Sequence, residues 1–68
     1  MREKGLIVDM NNKGYLVELD SGEIGLLPVG DTTKYKFAET FLNRKVEVDI
    51  DEIKDDIILL RDRFRLTT

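Results

Sequence analysis

The chain has 68 residues, 41% of them hydrophobic and 37% charged, with 11 basic against 14 acidic side chains and a formal charge of −3. That length holds one domain, residues 1–68, whose core supplies only about 3–5 kcal/mol. No cysteine and no histidine is present, which excludes a disulfide, a thiolate zinc site and the commonest general base. With so little volume for a cleft, no enzyme activity, catalytic residue, metal or cofactor is expected.

No apolar stretch approaches the roughly 20 residues that span a bilayer. Arg2, Glu3 and Lys4 open the chain without the apolar segment of a secretion signal. A cytoplasmic protein without membrane contact is expected. The acidic balance argues against strong electrostatic binding of nucleic acid, because Lys and Arg neutralising phosphates provide most non-specific affinity.

Leu6, Ile7, Val8 and Met10 read as a first strand, ended by the turn-forming cluster Asn11, Asn12, Lys13 and Gly14. Tyr15, Val17 and Leu19 alternate with Leu16 and Glu18 as a second strand facing inward, and Asp20, Ser21 and Gly22 supply a hairpin turn. Glu23 to Leu27 form a third strand, in which Gly25 marks a bulge or bend and which Pro28 ends. From Val29 to Asn43 a loop and one short helix are predicted, with Asp31, Thr32 and Thr33 as N-caps and Tyr35, Ala38, Phe41 and Leu42 near helical spacing. Val46, Val48 and Ile50 then alternate with acids as a fourth strand, which Ile53 continues past a bulge. Lys54, Asp55 and Asp56 make a tight turn, and Ile57 to Leu60 form the fifth strand.

A three-strand meander, a helix and a hairpin predict an all-β fold. Its form is a five-stranded antiparallel OB-fold barrel with one short helix between the third and fourth strands. Val17, Val48 and Leu59 are expected to meet in its middle. Gly14 and Gly22 turn the chain and Gly25 bends it, so the glycines need no ligand to explain them.

The order Gly5-x-Ile7, Met10, Gly14-Tyr15-Leu16-Val17-x-Leu19, Gly22-Glu23-x-Gly25-Leu26-Leu27-Pro28, Val46-x-Val48-x-Ile50 and Ile57-x-Leu59 resembles the S-one RNA-binding domain. The resemblance covers a core of residues 4–61 and leaves a tail of 62–68. It implies the same barrel, a type that recurs in ribosomal proteins, RNA-degrading enzymes and translation factors. In that family an aromatic precedes the turn glycine, a second follows it by two residues, and a histidine ends the third strand. Here Lys13, Leu16 and Pro28 stand at those places, and Lys54 and Asp56 replace two polar residues flanking the last hairpin. The usual base-stacking platform is therefore missing.

The bases left to meet phosphates are Lys13, Lys34, Lys36, Arg44, Lys45 and Lys54, with Tyr35 among them. The acidic run Glu47, Asp49, Asp51, Glu52, Asp55 and Asp56 reads as a solvated strand face, since alternating residues are too dispersed for a cation. If Ile57 and Leu59 point inward, Ile58 and Leu60 point outward with Leu16, where Phe64 and Leu66 of the tail would cover them. Two functions follow as expectations. One is a small RNA-binding module of S-one type, binding single-stranded RNA weakly and mostly through the backbone. The other is a protein-interaction or self-association module using Leu16, Ile58 and Leu60. The chain is also readable as one module of a longer protein.

Overall fold

A computed structural model describes residues 2–67. The alternating stretches form β1 (Arg2–Met10), β2 (Tyr15–Leu19), β3 (Ile24–Leu27), β4 (Lys45–Lys54) and β5 (Ile57–Leu66). They pair in the order β1-β2-β3-β5-β4, and β4 returns to β1, so the sheet closes into an OB-like barrel. β3 and β5, however, run parallel, through Gly25↔Ile58 and Leu26↔Leu59. Parity requires such a pair. Five strands in a closed ring cannot alternate direction at every step, and a parallel pair needs a long connection, which β4 and the loop before it provide.

The turns are made by the residues that read as turn formers. Asn11 Oδ1 accepts from the N–H of Lys13 at 2.8 Å and of Gly14 at 3.0 Å, an Asx turn between β1 and β2. Between β4 and β5, Asp55 and Asp56 have φ of 51° and 64°, the mirrored two-residue turn whose twist suits a hairpin.

Inside the barrel lie Ile7, Tyr15, Val17, Leu19, Leu27, Val46, Val48, Ile58 and Leu60. Ile58 and Leu60 thus face the core, whereas Ile57 is exposed and Leu59 is half-buried on the outer side. This reverses the expected phase of β5, so Leu60, not Leu59, joins Val17 and Val48. Two causes combine. Ile57 to Leu60 are all apolar, so no alternation marks which face is inside. Register shifts on both sides of Ile50 then break the in-out sequence carried along β4. Of the two readings of Gly25, the bulge does not form: it pairs regularly with Val17 and Ile58. A Cβ there would lie 3.0 Å from Leu60 Cγ, so the missing side chain is room for Leu60.

β5 continues through Leu66, so most of the predicted tail is strand. Phe64 and Leu66 pack against the core instead of covering outward leucines. Arg61, Arg63 and Arg65 are exposed, with Arg61 Nε 3.8 Å from Asp51 and Arg65 Nε 3.9 Å from Glu47.

No α-helix forms among the described residues; 29–43 holds two 3-10 turns, Thr32–Lys34 and Ala38–Phe41. Cross-chain anchors prevent the single helix. Thr32 Oγ1 donates to Asn11 O at 2.7 Å, and the Tyr15 hydroxyl donates to Ala38 O at 2.7 Å. Between those two fixed points Tyr35 is extended, at φ −117° and ψ 124°. It leaves the face it was expected to share with Ala38, Phe41 and Leu42.

Burial raises the Tyr15 phenol above its ordinary pKa of 10.0. The folded state therefore favours the neutral form, and this contribution is intact below pH 10 and lost as pH climbs through the raised value. Urea melts across that range should show stability falling above pH 10. Tyr15→Phe should lose about 1 kcal/mol at neutral pH, through the broken hydrogen bond, and flatten the alkaline fall. An unchanged alkaline slope in the variant would refute the assignment.

Candidate nucleic-acid interface

The connection from β3 to β4 is stitched to the β1–β2 turn. Thr32, buried, donates its N–H to Asn11 O at 3.3 Å as well as its hydroxyl, and Gly30 donates to Lys13 O at 3.2 Å. These bonds bring Lys13 beside the segment 30–34 at one end of the barrel. Asp31 caps the first 3-10 turn, accepting from Thr33 N at 2.9 Å and from the Thr33 hydroxyl. The hydroxyl bond, then the backbone bond and nearby Lys34, hold its carboxyl below the ordinary carboxylate value.

Beyond Lys34 the chain presents Tyr35, Lys36 and Phe37 to solvent. Tyr35 is 69% and Phe37 77% exposed, the highest values among the exposed large hydrophobic residues of the described chain. They stand out because other aromatics fill the barrel mouth: Phe41 meets Tyr15 edge-on at 5.9 Å and Phe64 at 6.1 Å between ring centres. Two open hollows of about 330 Å³ flank Tyr35. One is lined by Met10, Thr33, Lys34, Lys36 and Glu39, the other by Val29, Thr32, Phe37 and Phe41 among others. Each has room for part of a planar base beside a charged or aromatic wall.

Of the residues singled out from the sequence, Lys13, Lys34, Tyr35 and Lys36 gather at this end. Pro28 follows β3 toward the same end and is exposed. Arg44 is half-buried just before β4, its carbonyl accepting from Ile7 N at 3.0 Å. Leu16 lies on the outer wall of β2, half-buried. Lys54 ends β4 at the opposite end, opposite Ile57, so it cannot act with Lys13 on one short ligand. Phe37 was missed because the segment read as helix. The signal available was the alternation of base and aromatic in Lys34-Tyr35-Lys36-Phe37.

Glu39 shares one hollow with the lysines and tempers their field. Along β4, Asp49, Asp51 and Glu47 face Arg2, Arg61 and Arg65. Among the described residues no group of three or more acids, cysteines or histidines is placed to hold a metal ion. None of their helices is long and apolar enough to cross a membrane.

Fold and site together define a class: a small OB-like β-barrel presenting interleaved aromatic and basic side chains from the connection between its third and fourth strands. Compared with protein-family models, curated proteins and solved structures, the chain matches none.

Proposed function

We propose that this chain is a single-stranded RNA-binding module of S-one type whose contact surface has moved from the barrel wall to one barrel end. The observation that carries the reading is the exposed pair Tyr35 and Phe37 interleaved with Lys34 and Lys36. Stacking of a base on an aromatic face contributes about 1–3 kcal/mol and tolerates any sequence. Lys13, Lys34 and Lys36 then take the adjoining phosphates. The segment is anchored on both sides of Tyr35, with Thr32 bonded to Asn11 and Ala38 to Tyr15, so less ordering entropy opposes binding than for a free loop. A net charge of −3 keeps the interaction local and weak.

An NMR titration with a short single-stranded RNA at low salt tests this. Amide shifts are expected at Lys13 and along Lys34 to Phe37. Tyr35→Ala and Phe37→Ala should each weaken binding by about fivefold to a hundredfold. With three phosphates engaged, the affinity should fall with salt at a log–log slope of about −2. Absence of shifts at those amides with millimolar RNA would remove the proposal.

A further inference from the structure

The outer wall of β2, β3 and β5 carries a second surface of different chemistry. Leu16, Leu26 and Leu59 each sit between two core-facing neighbours, so they lie on the opposite side of the sheet, and each is half-buried. Register sets them in one row, with Leu16 opposite Leu26 and Leu26 opposite Leu59. Two residues earlier on the same face, Ile24 and Ile57 open β3 and β5 and are 46% and 57% exposed. Five aliphatic side chains thus adjoin one another across three hydrogen-bonded strands. An apolar patch that is continuous, unlike scattered single residues, marks an interaction surface.

Its border carries more acids than bases. Asp9 stands opposite Leu16, Glu52 opposite Leu59 and Glu18 opposite Ile24, all exposed. Two bases also stand there: Lys54, opposite Ile57, and Arg61, two residues after Leu59 on the same face of β5 and with its Nε 3.8 Å from Asp51. Cross-strand partners share a face, so these charges rim the aliphatic row.

We propose that this face docks a protein segment carrying aliphatic side chains flanked by Lys or Arg. Leu and Ile offer no π-face for a base to stack on, and a carboxylate rim repels phosphate, so RNA does not suit it. A second copy of this chain is disfavoured as well. A second copy brings the same surplus of acids over bases at its rim, so two such faces complement each other in charge less well than one such face and a basic segment. β3 is already paired on both edges, so the partner binds side chain to side chain and not by adding a strand. Basic residues around an aliphatic anchor complement both the row and its rim.

The test is an NMR titration of the isotope-labelled chain with a synthetic amphipathic Leu/Lys peptide, beside its Leu/Glu counterpart. The Leu/Lys peptide should shift the amides of Leu16, Ile24, Leu26, Ile57 and Leu59, and the Leu/Glu peptide should not. Glu18→Lys with Glu52→Lys should weaken the Leu/Lys peptide at least about tenfold. A thermal melt alongside checks that this variant is folded, and Leu26→Ser serves as a second probe of the same row. RNA shifts at Lys34 to Phe37 should persist in the charge-reversed variant, so failure here is separable from failure of the RNA reading. Equal response to both peptides, shifts on another face, or sedimentation showing a dimer through these residues would each overturn the proposal.

Discussion

Gly14→Ala should leave the chain largely unfolded at room temperature. A Cβ at Gly14 would fall 1.9 Å from Leu27 O and 2.9 Å from Val29 N. These are backbone atoms, and Leu27 is fixed by pairing with Tyr15. Relieving the overlap means parting β2 from β3, which opens the barrel. A domain of this size has only about 3–5 kcal/mol to lose. Gly22 provides the control. Its φ is +93° but nothing lies within 4 Å of a Cβ there, so Gly22→Ala should cost only the conformational penalty of about 1–2 kcal/mol. Circular dichroism and urea melts of both variants decide the matter. A Gly14→Ala protein with a wild-type melt would contradict the close approach of the first turn to the end of β3.

Leu60→Ala should cost about 2–5 kcal/mol, the range for emptying a buried leucine site. Leu60 is 1% exposed, and its side chain fills the space left open by Gly25. Leu59→Ala, one residue earlier but on the outer face, should cost about 1 kcal/mol or less. The pair is a direct measure of the phase of β5. If Leu59→Ala proved the more damaging, the inward set would be Ile57 and Leu59, and the aliphatic row on the outer wall would not exist. Because the two substitutions remove the same atoms, differences in transfer chemistry cannot produce the ranking.

Where polar and apolar residues alternate strictly, inside and outside were legible from the chain. Val46 and Val48, separated by Glu47, are buried as their period implies, and Val17 and Leu19, separated by Glu18, likewise. Asn11 and the Asp55-Asp56 pair marked turns through their own hydrogen-bonding and φ preferences, which are local properties. That Lys, Leu and Pro stand at positions 13, 16 and 28, with no aromatic among them, was equally plain. Tyr35 was named with its neighbouring lysines, but which aromatics of 35–41 stay outside was not legible. Phe37 and Tyr35 carry the same hydrophobic label as Phe41, yet Phe41 packs against Tyr15 while the other two are exposed.

Local chemistry therefore accounts for the number of strands, their order along the chain, the turn positions and the exclusion of thiol and imidazole chemistry. Three further matters depended on residues distant in the chain meeting in space. The parallel β3–β5 pair is a consequence of closing an odd-numbered ring. The phase of Ile57 to Leu60 follows from pairing with β3 and from the shifts around Ile50, since an unbroken apolar run encodes no side. The extended, exposed course of Tyr35 follows from bonds that tie Thr32 to Asn11 and Ala38 to Tyr15. Periodicity describes a segment against its own axis; which face meets the core is set by the partner strand, and that partner lies elsewhere in the chain.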